Sequence, residues 1–186
     1  LSPSSYGLDA EGPRRSLLIE FVSANPTGPM HMASGRGATL GDCLVRILRR
    51  LGHKVHAEYY VNDAGGRLDR LGASLHARRH GQAPPPDGYQ GDYITELAKS
   101  FPPEADAWTP EQFQRPGVEA FLKSHREDMD SFGVTFDRWY RETELHSRGA
   151  LAAAGKKLKG RGMVYEKDGA VWLGTAAASG CDDDKD

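Results

Sequence analysis

The chain has 186 residues, of which 38% are apolar and 27% charged, and its formal net charge is −2. This composition is sufficient for one modest core, or a core with an insertion, and it argues against a strongly basic nucleic-acid surface. Its two cysteines, Cys43 and Cys181, show neither disulfide-framework nor zinc-site spacing, and no apolar run reaches the roughly 18 residues of a membrane span, so the sequence favours a cytoplasmic protein.

The first predicted elements are a strand and a helix joined by a stiff turn. Residues 17–22 form an almost continuous apolar run, typical of a strand buried on both faces of a parallel sheet. The prolines and glycine of residues 23–30 exclude a helix there. Apolar residues then recur at helical spacing from about Ala38 to Leu51, ending at Gly52, and Cys43 on this stripe is expected to be buried. A doubly wound α/β sheet is therefore predicted.

The start of that helix is the candidate ligand site. Small residues at Ala33, Gly35 and Gly37 would let a ligand approach the backbone, and free N–H groups at a helix start attract phosphate. His31 stands just before them, whereas the dinucleotide-binding and P-loop motifs are absent from the sequence. An ordinary strand-to-helix connection is the alternative on shape alone, and the packed polar side chains favour a nucleotide site.

A second strand is predicted at residues 54–61, where apolar and polar residues alternate. It ends at Asn62 and Asp63, the strand-end position at which open parallel sheets bind ligands. Asp63 is expected to cap a helix from Ala64 to about His80, to contact a ligand, or both. Residues 81–91 are rich in proline and glycine and are predicted to be a linker.

Helices follow near residues 92–101 and 109–132, the second with a candidate break at Pro116 and Gly117. Residues 125–130 are predicted to be a solvated helix face rather than a metal site. Four aromatic residues are expected to form a local core rather than base-stacking platforms: Trp108, Phe113, Phe121 and Phe132.

The last predicted elements are a short helix at residues 150–162 and two strands at residues 163–165 and 171–173. The basic end of the helix is read either as ordinary C-terminal helix charge or as an RNA-phosphate contact. Asp168 and Gly169 form a strong hairpin-turn signal between the strands.

At residues 19–42, the segment IEFVSANPTGPMHMASGRGATLGD closely resembles the first signature region of arginyl-tRNA synthetases, class I enzymes that activate arginine with ATP and transfer it to tRNA. Four further segments look like family segments in the family's order: residues 57–72, 91–98, 132–142 and 162–173. The resemblance implies a Rossmann-like class I nucleotide-binding half-domain with a parallel sheet and a mostly helical connective insertion. Residues 1–81 would be the first half of the catalytic domain, 82–165 the insertion over the acceptor end of the tRNA, and 166–186 the return towards the catalytic domain.

The resemblance also implies roles for single residues. Ser23 and Asn25 would hold the amino and carboxylate end of arginine, and Glu166 would face its guanidinium, which a carboxylate can pair in bidentate fashion. Asn62 and Asp63 would support the pocket wall. ATP, usually accompanied by Mg²⁺, would bind at the helix start, near His31, Ser34, Gly35 and Gly37. Of these four residues, His31 and Ser34 are the catalytic candidates.

The sequence departs from the family's His-x-Gly-His motif, because residues 31–34 read His-Met-Ala-Ser. Losing one preorganised donor typically lowers the rate about a hundred- to a thousandfold, and Ala33 adds a methyl group where adenosine would press, so a weakened ATP site is expected. The family's Lys-Met-Ser-Lys-Ser loop is not found in the sequence, and a partial chain, poor at the reaction alone, is the plainest account. A non-catalytic arginine-binding paralogue and a degraded gene fragment are the alternatives.

Overall fold

The structure, a computed structural model, describes residues 13–174, which form two compact units that divide after Glu142. This packing boundary differs from the predicted domain limits at residues 81 and 165, which concern the family's catalytic domain and stay predictions. The predicted path through residues 175–186, including Cys181 and the acidic end of the sequence, lies outside the described residues.

The first unit contains a three-stranded parallel sheet in the order β1 (Ser16–Glu20), β2 (Lys54–Val61), β3 (Arg138–Arg141). The predicted α/β class with a parallel sheet is confirmed, and β2 has the predicted bounds. Its alternate side chains are buried, as period two requires for a strand with one core face: Val55, Ala57, Tyr59 and Val61. The four-residue β3 was not predicted, because so short a run carries little periodicity.

Helix α1 (Met32–Arg50) begins six residues before the predicted start at Ala38 and has His31 as its N-cap. The residues from Met32 to Gly37 lack the apolar periodicity on which the prediction rested. No proline follows Pro29 in this segment, so nothing in the sequence prevents the helix from starting there.

The packed face of α1 is not the predicted one. The helix buries its small residues Ser34, Ala38 and Gly41, together with Val45, and a Cβ added at Gly41 would lie 2.2 Å from the Phe21 ring. The leucine-rich stripe of Leu40, Leu44 and Ile47 is exposed instead. Cys43, which was expected to be buried, is exposed on the same helix, and so is Leu18 of β1. Small side chains allow the closer approach to the sheet, so the predicted burial of this stripe, and of β1 on both faces, is wrong.

Three helices pack beside the sheet: α2 (Gly66–Arg79), α3 (Asp92–Ser100) and α4 (Pro110–Ser131), with a 3₁₀ turn at Pro103–Ala107. The N-cap of α2 is Gly65 (φ 80°), so the predicted capping by Asp63 is wrong. The sequence Thr109–Gln112 forms a capping box at the start of α4. That helix runs unbroken through Pro116.

Glycines let α2 and α4 approach closely. A Cβ added at Gly72 would lie 2.2 Å from the carbonyl oxygen of Pro110, and one at Gly117 would lie 2.6 Å from Leu75 Cδ1. The first neighbour is backbone, which cannot move aside without shifting a helix. Packing against α2 therefore supports α4 where Pro116 removes a hydrogen bond.

Gly72→Ala is expected to lower the free energy of unfolding by about 1–3 kcal/mol, because the added methyl group forces α2 and α4 apart. Gly66→Ala on the same helix is the matched control, since its Cβ would meet only the Asp69 carboxylate, at 3.8 Å. Chemical denaturation followed by circular dichroism gives both values. Equal stability of the two variants would contradict the close packing of these helices.

The aromatic core is confirmed for Phe113 and Phe121, which are buried, and for Trp108, which packs against them. Phe132 is 55% exposed, so its predicted burial is wrong. It lies beyond the last helical residue of α4, where the helical periodicity no longer applies. The prediction of a solvated face at residues 125–130 is wrong for His125, which is fully buried, and for Met129, which is 4% exposed.

The second unit begins within α5 (Glu142–Ser147) and continues with α6 (Ala150–Gly160). An antiparallel hairpin of β4 (Val164–Lys167) and β5 (Ala170–Leu173) follows. Both turn residues have positive φ, 53° at Asp168 and 75° at Gly169. The hairpin predicted from this dipeptide is therefore confirmed.

Candidate substrate-binding site

A cavity of about 520 Å³ lies beyond the carboxyl end of β1, between the turn of residues 22–29, the start of α1 and two tyrosines. Its volume is within the range of about 300–1,000 Å³ that small-molecule sites occupy. The structure brings five of the predicted site residues together in the wall of this cavity: Ser23, Asn25, His31, Ser34 and Gly37. Asn25 and His31 thus share one cavity.

The turn into the cavity has an unusual backbone. Val22 and Ser23 both have positive φ, 66° and 45°, a region that β-branched residues almost never adopt and that costs about 1–3 kcal/mol per residue. The Ser23 hydroxyl holds this conformation: it donates to Glu20 Oε1 (2.7 Å) and accepts from the Tyr60 N–H (3.0 Å). A ligand would therefore meet a hydroxyl already bonded to the protein.

Asn25 differs from Ser23. Its carbonyl accepts a hydrogen bond from the Thr27 N–H (2.8 Å), but its side chain is exposed at the cavity wall. Within residues 13–174 no hydrogen bond is formed by the Asn25 side-chain amide. An amide offers both a donor and an acceptor, which suits the charged ends of an amino acid.

The start of α1 places His31 and Ser34 on the cavity, with the imidazole exposed and Ser34 nearly buried. The N–H groups of Ser34 and Gly35 both donate to the His31 carbonyl, at 2.8 and 3.2 Å. The amides left without an acceptor in the helix are thus those of Met32 and Ala33. Gly35 is not part of the cavity wall, and a Cβ there would meet nothing within 4 Å.

Tyr89 and Tyr93 complete the cavity wall and were missed by the sequence analysis. The predicted linker that carries Tyr89 is a defined loop: the Tyr89 N–H donates to the Oγ of the fully buried Ser74 (2.9 Å), which in turn donates to the Arg70 carbonyl (2.6 Å). The Tyr93 ring lies within 3.3 Å of a Cβ added at Gly28. The only feature of the sequence that could have indicated these two residues is the spacing of two tyrosines four positions apart.

Asn62 and Asp63 follow β2, but neither is part of the cavity wall. Asp63 is buried and lies 3.2 Å from Arg141 Nη1, while the Arg141 guanidinium donates to both Glu119 carboxylate oxygens (2.7 and 2.8 Å). That hydrogen bonding lowers the pKa of Glu119. The cluster joins the ends of β2 and β3 to α4, and support of the cavity by the two residues stays a prediction.

Glu166 lies on β4 in the second unit, exposed and 3.9 Å from Lys159. Its predicted contact with a guanidinium stays a prediction. Over residues 13–174, no group of three or more His, Cys, Asp and Glu side chains is placed to hold a metal ion. In the same part of the chain, no helix combines the length and apolar character needed to cross a membrane.

The chain is similar to proteins named arginine–tRNA ligase. It is 51% identical over 173 residues to that of Elusimicrobium minutum, covering 93% of this chain and 32% of the relative. It is 43% identical over 189 residues to that of Kineococcus radiotolerans, covering 98% of this chain and 34% of the relative. No protein-family model matches the chain.

Solved structures agree in fold. An arginyl-tRNA synthetase structure from Campylobacter jejuni matches with a TM-score of 0.78 and 30% identity, covering 95% of this chain and 41% of that one. The Thermus thermophilus arginyl-tRNA synthetase, at 23% identity, matches in fold with a TM-score of 0.56 over 92% of this chain and 32% of that one. The chain spans about a third of the length of its curated relatives (32% and 34%), and over that segment its sequence is similar to arginine–tRNA ligases.

Proposed function

We propose that this chain supplies the arginine- and ATP-binding part of an arginine–tRNA ligase. The reaction class is formation of an aminoacyl adenylate, followed by transfer of the acyl group to a ribose hydroxyl of tRNA. The observation that carries the proposal is the shared cavity, in which Asn25, His31 and Ser34 converge beyond the carboxyl end of β1. Relatives named for this activity, aligned over 93% of the chain, support it.

In this proposal the Asn25 amide binds the amino and carboxylate end of arginine, and Ser23 shapes the turn that presents it. Support comes from the exposed Asn25 side chain and from the bonded Ser23 hydroxyl. The assignment of Glu166 to a guanidinium rests on the family resemblance alone. Asn62 and Asp63 are assigned to the supporting frame at the end of β2.

ATP is the second substrate, and its phosphates lie near His31, Ser34 and the first amides of α1. Gly35 and Gly37 belong to the same helix start. Ser34 can donate one uncharged hydrogen bond, whereas a second imidazole could carry a positive charge, so ATP use by this chain is expected to be weak. Mg²⁺ accompanies ATP in such chemistry, and no residue is assigned to it. In this proposal the protein acts in the cytoplasm, because its proposed substrate is tRNA.

The test is titration calorimetry with arginine. Wild-type protein is expected to bind arginine, and Asn25→Ala to weaken binding about 10- to 100-fold, because a hydrogen bond to a charged group contributes about 1.5–3 kcal/mol. Gln82→Ala, which removes an exposed side-chain amide outside the cavity wall, should bind as wild type does. ATP titrated alone should bind weakly.

Two outcomes would contradict the proposal. One is a folded wild-type protein that shows no heat with millimolar arginine. The other is an Asn25→Ala variant with unchanged affinity. Citrulline, which keeps the shape of arginine without its charge, checks that binding is specific for the guanidinium.

A further inference from the structure

Behind the turn that presents Asn25, a buried tyrosine and a buried histidine are hydrogen-bonded to each other. Tyr59 on β2 and His125 on α4 are both fully buried, and the Tyr59 hydroxyl lies 3.1 Å from His125 Nδ1. Neither residue is part of the cavity wall. The sequence analysis assigned His125 to a solvated face, so nothing in the proposed chemistry accounts for this pair.

Both residues bind the backbone of the turn, on either side of Asn25. His125 Nε2 lies 2.8 Å from the Gly28 carbonyl oxygen. The Tyr59 hydroxyl oxygen accepts from the Ala24 N–H and lies 3.1 Å from the Ala24 carbonyl. The pair thus connects β2 and α4 to both ends of the segment from Ala24 to Gly28.

The proton positions follow from the acceptors. A carbonyl oxygen can only accept, so His125 Nε2 carries a proton and donates to Gly28, which leaves Nδ1 of the neutral ring as an acceptor. The single Tyr59 hydroxyl proton then has two acceptors at 3.1 Å, His125 Nδ1 and the Ala24 carbonyl. Burial lowers the pKa of His125, against the opposing effects of the Gly28 carbonyl and Asp128, and burial raises the pKa of Tyr59. Both side chains therefore keep the uncharged forms that this arrangement needs.

We propose that Tyr59 and His125 are positioning residues, which fix the backbone from Ala24 to Gly28 so that the Asn25 amide is held in place for the amino and carboxylate end of arginine. The proposal rests on the proposed function. Asn25 itself is exposed and has no side-chain hydrogen bond within the described part of the chain, so its position depends on the backbone that flanks it. Hydrogen bonds weaken steeply when their distance and angle depart from the preferred values, so anchoring of this backbone is expected to affect arginine binding.

The test compares arginine affinity with stability. Tyr59→Phe keeps the ring, which stacks on Trp139 at 4.0 Å, and removes only the hydroxyl, while His125→Leu removes the donor to Gly28. Each is expected to weaken arginine binding about tenfold in calorimetry performed well below its melting temperature. His125→Gln, whose amide can still donate to Gly28, should recover most of the affinity.

Leu122→Ala is the control for a merely structural effect, since Leu122 is 1% exposed on the same helix and its apolar side chain forms no hydrogen bond with the turn. It should lower the melting temperature and leave the arginine dissociation constant unchanged. Wild-type affinity in folded Tyr59→Phe and His125→Leu, or an equal loss in Leu122→Ala, would overturn the proposal.

Amide hydrogen exchange separates this proposal from the proposed function. If wild-type protein binds no arginine, the proposed function fails, and the anchoring is then judged at the amides of Ala24 and Thr27. Tyr59→Phe should speed their exchange about tenfold relative to core amides of β2, because it removes the acceptor of the Ala24 N–H. Unchanged exchange at both amides would overturn the anchoring itself.

Discussion

Replacing Phe113 with alanine is expected to lower the free energy of unfolding by about 3–5 kcal/mol, the range for removing a buried aromatic ring. The ring is fully buried and packs edge-on against three others, with centroids at 5.2 Å for Trp108, 5.5 Å for Phe101 and 6.1 Å for His76. Helices α2 and α4 and the segment between α3 and α4 meet there, so the resulting cavity cannot close by the movement of one side chain.

Phe132→Ala makes the same chemical change at an exposed position and should alter stability by no more than about 0.5 kcal/mol. Both variants are measured by guanidinium denaturation with circular dichroism, and equal m-values would show that the same surface is exposed on unfolding. Similar losses in both variants would mean that Phe113 is not the centre of this core.

The two phenylalanines show what the sequence could and could not predict about the fold. Local signals were sufficient for β2, for α3 and for the hairpin at Asp168, because alternation, helical spacing and turn residues act within a few positions. The burial of Phe132 and of the leucine stripe on α1 was mispredicted. Whether these side chains are buried depends on which surface, distant in sequence, packs against them. For α1, the close approach of Gly41 to Phe21 determines which face of the helix is buried.

The candidate site shows the same division. Asn25, His31 and Ser34 lie within one short segment, so the resemblance of that segment to a known motif predicted all three as site residues, and they line one cavity. Tyr59 and His125 act on the turn from 35 and 97 residues away in sequence, and no local pattern marks such a contact. Tyr89 was hidden by the prolines and glycines around it, which are as typical of an ordered loop as of a linker.

Arg141→Met is expected to lower the free energy of unfolding by about 2–3 kcal/mol at neutral pH. Removing one partner from a buried charge cluster costs about 3–5 kcal/mol. The expected value here is smaller because the Glu119 side chain is 43% exposed and partly screened by solvent, whereas that of Asp63 is 5% exposed. Arg141→Lys should lose less, since a lysine keeps the charge without the planar fork that binds both Glu119 oxygens.

Lys123→Met on the same helix is the matched control. Its ion pair with Glu127 spans 3.8 Å between side chains that are 78% and 68% exposed, so the loss should not exceed about 0.5 kcal/mol. Denaturation at neutral pH compares the variants. A loss in Arg141→Met no larger than in Lys123→Met would show that the cluster contributes no more than a surface pair.

The pH dependence identifies the source of this stability. Hydrogen bonding from Arg141 lowers the pKa of Glu119 below its ordinary value of 4.5, so the folded state favours the ionised carboxylate. The unfolded chain takes up this proton first as the pH falls, so the contribution is complete above about pH 4.5 and is lost as the pH falls through the folded-state pKa. The stability difference between wild type and Arg141→Met should therefore be constant from about pH 6 upward and shrink below about pH 4.5. A difference that stays the same down to about pH 3 would assign it to packing of the Arg141 stem, because the apolar stem carries no titrating group and its packing does not depend on pH.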